Sequence, residues 1–320
     1  MSPRTLPSPV AIGVTVAASL LAAVLLPLAT YAFTLALFGL VHVAVELRYV
    51  DRRFGSRVPW RLGTTLLFVL GAIVLVRLLG LAAVLAPAPR ATLELGLVGA
   101  LVLLVLPTLR RAGPLRALVG LALLGLLVFG AWRAPLATLV LFAVAHNLTP
   151  VGFLADALEG RARTRALVVA ALVFGAVPLL IAGGGPARLL AGWGVPGLDL
   201  PGAGRLDQNL RVFVPSFWRD GAHAVDLFSA AVYLQCLHYA VVIHVLPRLA
   251  PRSPPGESER LPWPAPLPFT VGLVVVAVVS FAAFFLAFSD ARAVYGLFAL
   301  VHAWIEIPIL LLALALRPGG

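Results

Sequence analysis

Runs of about 20 predominantly apolar residues follow one another along almost the whole chain, separated by short stretches that carry the arginines. That is the length a helix needs to cross the hydrocarbon of a bilayer. In lipid every backbone polar group must be satisfied internally, so a crossing segment of this kind is helical. The runs fall at 9–27, 30–48, 60–84, 92–108, 115–131, 135–157, 166–183, 223–247, 267–288 and 292–316. They predict an all-α fold, a polytopic integral membrane bundle of about ten transmembrane helices. Composition agrees, with 61 % hydrophobic residues and a mean hydropathy of +1.04. No polar stretch is long enough for a sizeable soluble domain, so residues 1–320 read as a single transmembrane domain.

All 24 basic residues are arginine, and the net charge is +11. In a soluble chain that balance would point to nucleic acid. Here the arginines crowd into alternate short loops, which membrane topology explains without a nucleic-acid partner. With a cytoplasmic N-terminus and ten crossings, Arg48 to Arg61, Arg110 to Arg116, Arg161 to Arg165 and Arg248 to Arg260 all face the cytoplasm. Arg90, Arg133, Arg188 and Arg292 face the other side, and Arg77 lies inside a run. Both termini are then cytoplasmic, in a multi-pass protein of the inner (plasma) membrane. The N-terminal 29 residues resemble a signal peptide in outline, but the basic part is weak and the apolar run long, so they read as an uncleaved first helix. Cys236 is the only cysteine, which excludes an intrachain disulfide and a thiolate metal cluster. The long outer segment 183–221 reads as an interfacial cap or short amphipathic turns, and 247–266 as a Pro-rich cytoplasmic connector.

Against this apolar background the histidines stand out. His42, His146, His238, His244 and His302 lie within apolar runs, and His223 at the outer end of one. His42 and Glu46 are four residues apart, as are His302 and Glu306. On a helix that spacing puts both side chains on one face. Buried ionisable groups in a membrane are costly and mark functional sites by default. His42, His146, His238 and His302 sit on runs that cross in the same direction, at depths that helix tilt can bring into one layer. Each alone is as well explained by a helix–helix hydrogen bond. Together with two carboxylates they form a donor set that suits iron, manganese or zinc. His244, six residues after His238, points to roughly the opposite side of its helix. Asn147 is either a partner that fixes an imidazole tautomer or plain interhelical glue. Tyr239 either donates to an oxygen ligand or bonds a backbone carbonyl. Arg77 either snorkels or neutralises a glutamate.

The segment Phe38-Gly39-Leu40-Val41-His42, followed by Glu46, resembles the Gly-[Ile/Leu]-Pro-His motif of the Brp/Blh family. These are polytopic membrane β-carotene 15,15'-dioxygenases that make retinal with histidine-bound non-haem iron. Phe298-Ala299-Leu300-Val301-His302 looks like that family's C-terminal Leu-Pro-His segment. Valine replaces the proline before both histidines, Glu46 lies one place later than the family's aspartate, and two histidines four apart are absent from the centre. The resemblance implies iron held by His42, His146, His238 and His302. It also implies dioxygen chemistry on an apolar substrate drawn from lipid, such as a carotenoid, another isoprenoid or an acyl chain. Glu46 and Glu306 would complete the shell of one iron, bridge two, or orient imidazoles. Three other classes remain open on the residues alone: a transporter or proton-coupled channel with a His/Glu relay, a bis-histidine haem protein for electron transfer, and a scaffold whose buried polar groups only pack.

Overall fold

Proline opens helix after helix in this chain. Pro9, Pro27, Pro87, Pro114, Pro135 and Pro266 each start an apolar helix in the computed structural model, because the ring presets φ and the first turn has no use for the missing N–H. The structure describes residues 7–194, 199–200, 202–221, 223–250 and 259–316. Arg4, Arg252, Arg317, residues 251–258 of the Pro-rich connector, and residues 195–198 and 201 of the outer segment lie outside these. The principal helices are α1 (Pro9–Leu25), α2 (Pro27–Phe54), α3 (Trp60–Leu81), α4 (Pro87–Ala112), α5 (Pro114–Arg133) and α6 (Pro135–Ala157). They continue as α7 (Gly160–Ala182), α8 (Leu206–Phe213), α9 (Ala224–Leu249), α10 (Pro266–Leu286) and α11 (Phe288–Ala315). Among the described residues, nine of these are long and apolar enough to cross a membrane. The protein is therefore an all-α polytopic membrane protein, as its apolar runs predict.

The first predicted run folds as α1, whose 17 residues make a shorter apolar helix. The break between it and α2 falls at Leu26, where the Thr30 hydroxyl donates to the Ala22 carbonyl at 2.8 Å. Several helices outrun their apolar stretch. Thus α2 continues past the expected limit at 48, through Arg48, Asp51, Arg52 and Arg53 to Phe54. Arginine is a good helix former and favours the negative end of the helix dipole, so the helix persists where hydropathy stops. Shielding from lipid is uneven. In the apolar windows of α2 and α9, 56 % of residues are buried, against 17 % for α3 and 11 % for α10. The ionisable groups below sit mainly on the well-shielded helices.

The chain divides into two compact units. The first comprises Met1–Tyr49, Asn147–Pro251 and Trp263–Tyr295. Here α9 packs against α1 and α7. Helix α7 contains a π-helical turn at Ala171–Ala176, followed by Pro178. The Val173 carbonyl would be the π-type acceptor for residue 178, and proline has no N–H to give. The Tyr233 hydroxyl of α9 donates to it instead, at 3.1 Å. The described part of the outer segment folds into short helices. In α8, Leu206 and Leu210 are buried while Asp207 and Arg211 face out, the pattern of an amphipathic cap.

The second unit comprises Val50–His146, Arg252–Pro262 and Gly296–Gly320. Its centre is α4, which packs against α3, α5 and α6 and buries Val98, Leu101, Val102 and Val105. Helices α5 and α6 approach closely at Gly130, where a Cβ would collide with the Thr138 side chain. Asp51 accepts hydrogen bonds from the backbone N–H groups of Arg260 and Leu261 at 3.1 and 3.0 Å, and Arg52 pairs with Glu259.

Candidate metal centre

Each unit holds its own group of two histidines and a glutamate. In the first, α2 presents His42 and Glu46 from adjacent turns, and α9 presents His238. All three are essentially inaccessible to solvent. The His42 and His238 rings meet edge to face, 5.2 Å between centroids. The Nε2 atom of His238 lies 3.4 Å from Oε2 of Glu46. Two ligands bonded at ~2.1 Å to one tetrahedral or octahedral ion are ~3.0–3.4 Å apart, so this spacing suits joint coordination. The tautomer of His42 follows from its partner. Its Nδ1 is 3.1 Å from the Phe38 carbonyl oxygen, which can only accept. Nδ1 therefore carries the proton, and Nε2 keeps the lone pair a metal needs.

Tyr239 covers this group. Its ring stacks on His42 at 4.1 Å between centroids. Its hydroxyl lies 3.4 Å from that of Tyr295. The sequence leaves a backbone carbonyl or an oxygen ligand as its partner, and the structure supplies a second tyrosine.

In the second unit, His146 ends the first part of α6 and begins a 3-10 turn, His146–Leu148. The cause is Pro150: in an α-helix its N–H would bond the His146 carbonyl, and proline has none. The turn places Nδ1 of His146 2.7 Å from Oε2 of Glu306 on α11. An ionised carboxylate only accepts, so this contact too puts a proton on Nδ1, and in the neutral imidazole Nε2 is then the ligand atom. His302, one turn before Glu306, meets the His146 ring edge to face at 4.7 Å between centroids. A ring nitrogen of His302 and a carboxylate oxygen of Glu306 lie within 4.8 Å of each other, as do ring nitrogens of His146 and His302. His302 and Glu306 are fully buried.

The histidines and glutamates of both groups are among the residues that could hold a metal ion. The i, i+4 spacing makes His42 with Glu46, and His302 with Glu306, legible in the sequence. The other two histidines of the chain stand apart. His244 is exposed near the end of α9, and His223 pairs with Asp226 at 3.2 Å. Asn147 lies half-buried within the 3-10 turn.

One buried group lacks that i, i+4 spacing. Glu94 of α4 is fully buried and pairs with Arg77 of α3 at 2.6 Å. The Trp304 indole N–H donates to its other oxygen at 3.1 Å. Arg77 thus neutralises a glutamate, one of its two expected roles. Trp304 lies between His302 and Glu306 in sequence, so this contact holds the far side of the helix that carries them. No known protein family, curated protein or solved structure matches the chain.

Proposed function

We propose that the protein is an integral membrane non-haem iron oxygenase acting on an apolar lipid or isoprenoid, carotenoid-like in its lack of polar handles. The observation that carries this reading is the placement of the His42 and His146 rings, each with Nδ1 turned to an oxygen acceptor. In the neutral imidazole that contact puts the proton on Nδ1 and the lone pair on Nε2, the arrangement metal-ligating histidines adopt. Two histidines and one carboxylate with positions left open is the donor pattern of iron(II) oxygenases, and the ion's role there is to bind and activate dioxygen. His42, His238 and Glu46 are the ligands proposed in the first unit and His146 and His302 in the second, where Glu306 orients the His146 ring, for one or two ions per chain. The resemblance of residues 38–46 and 298–302 to the Brp/Blh segments supports the same assignment. Tyr239 would shield the His42 ring and exclude water from it. An apolar substrate would reach such a site from the bilayer without leaving hydrocarbon.

The test is elemental analysis of detergent-purified protein, with an absorption spectrum of the same sample. Stoichiometric iron without a Soret band is expected. His42→Ala and His302→Ala should each lose most of that iron while the protein still elutes as a folded species. Full retention of metal in both variants would overturn the reading. The 2.7 Å contact between His146 and Glu306 favours a second reading, a proton relay in a transporter. Metal-free protein that carries a proton-coupled flux in sealed vesicles would decide for it.

A further inference from the structure

We infer that a cleft in the first unit binds one acyl chain of an anionic phospholipid, with the lipid's phosphate held by Arg165 and Arg248. The cleft is about 420 Å³, within the ~300–1,000 Å³ of small-molecule sites. Its apolar wall is built by Ile12 and Val16 of α1, Val169 and Phe174 of α7, and Leu237 and Val241 of α9. Arg165, His244 and Arg248 line it as well, and no carboxylate does among the described residues.

The two kinds of residue occupy different depths. Arg165 is in the second turn of α7, and His244 and Arg248 stand in the last turns of α9. Those positions are where helices leave the hydrocarbon. Phe174 and Leu237 lie about two turns or more further into their helices. The cleft thus has a basic mouth at the interface and an apolar shaft below it. That polarity matches an amphiphile with a negative head, and a neutral chain would gain nothing from the mouth. The Val173 and Phe174 positions belong to the π-helical turn, whose wider backbone shapes this wall. Beside the cleft, Val168 and Leu172 are more than half exposed, on a flank that faces lipid. A two-chain lipid can therefore seat one chain while the other stays in the bilayer. The inference is independent of the metal centre.

The test uses the full chain in lipid nanodiscs that contain a phosphatidylglycerol with a photoactivatable diazirine in one acyl chain. A matched sample contains the phosphatidylcholine analogue. After irradiation, labelled peptides are located by mass spectrometry. The phosphatidylglycerol probe is expected to label the peptides that carry Val169 to Phe174 and Leu237 to Val241, about fivefold or more above the choline probe. Arg165→Gln with Arg248→Gln should bring labelling down to the choline level. Val169→Trp, which fills the shaft and leaves both arginines in place, should remove it. Equal labelling by the two probes would mean annular lipid only and overturns the proposal. So does labelling that survives either variant, or that misses both peptides. If the double arginine variant fails to fold, the comparison of probes on the unaltered chain and the tryptophan variant decide.

Discussion

Gly39 is small because an aromatic ring occupies the space a side chain would take. A Cβ there would lie 3.0 and 3.3 Å from carbons of the Tyr295 ring. Tyr295 meets the Tyr239 hydroxyl, and Tyr239 covers His42, so the glycine begins a chain of contacts that ends on a ligand. Overpacking of this kind costs about 1–3 kcal/mol where neighbours cannot yield. Gly39→Ala should lower the thermal midpoint of the detergent-solubilised protein and reduce its bound metal. A variant with the parent's midpoint and metal content would mean that Tyr295 slides aside freely. The residue types at the centre are legible in the amino-acid sequence. Histidine and glutamate four apart inside an apolar run have few cheap explanations, and His42 with Glu46 and His302 with Glu306 are both fully buried. Tyr295 is not legible in this way, because a tyrosine inside a membrane run carries no formal charge and fits many roles.

At the scale of elements, a single proline sets where His146 points. Pro150 removes the donor that would continue α6, and the resulting 3-10 turn brings the ring to Glu306. Pro150→Ala restores that donor. The helix should then run through His146 without loss of stability, while metal held by His146 is weakened by roughly tenfold or more, the usual cost of disturbing a ligand's orientation. Metal titration against a competing chelator measures this. An unchanged affinity would show that the turn does not aim the ring. The Arg77–Glu94 pair makes a second case. Its two residues lie within about two turns of the short connection 82–86 between α3 and α4, so antiparallel helices bring them within side-chain reach of each other. That signal is present in the sequence, but it needs the turn to be placed first. Glu94→Gln leaves the guanidinium facing a neutral partner and weakens the Trp304 contact. Breaking a buried pair costs about 3–5 kcal/mol. The lower end applies here, because the Arg77 side chain keeps 30 % of its exposure. Adding Arg77→Met should recover most of the loss, and an additive second loss in thermal unfolding would show that the pair has no such coupling.

At the scale of the whole molecule, the crossings are legible because lipid penalises polar backbone and side chains in every one of them, so each helix carries its own signal. Grouping of helices is not legible in this way. The first unit assembles segments as far apart as α1, α7 and α9, and hydropathy says nothing about which apolar face meets which. The direction of insertion belongs to the same scale, since it is set by arginines spread over all the loops. Arg161, Arg163 and Arg165 open α7, whereas the segment after α7 is basic only at Arg188, Arg205, Arg211 and Arg219 over a much longer span. Short loops count most in positive-inside orientation. Residue 162 should therefore face the cytoplasm and residue 191 the opposite side. Both are exposed alanines, and Cys236 is the only native thiol, so Ala162→Cys and Ala191→Cys can be made singly in a Cys236→Ser background. A membrane-impermeant maleimide applied to right-side-out vesicles should label the second and spare the first, and inverted vesicles should reverse the pattern. Labelling of both from one side would mean that α7 does not cross. A clean reversal would place the arginine-rich loops, and with them the basic mouth of the cleft, on the outer face.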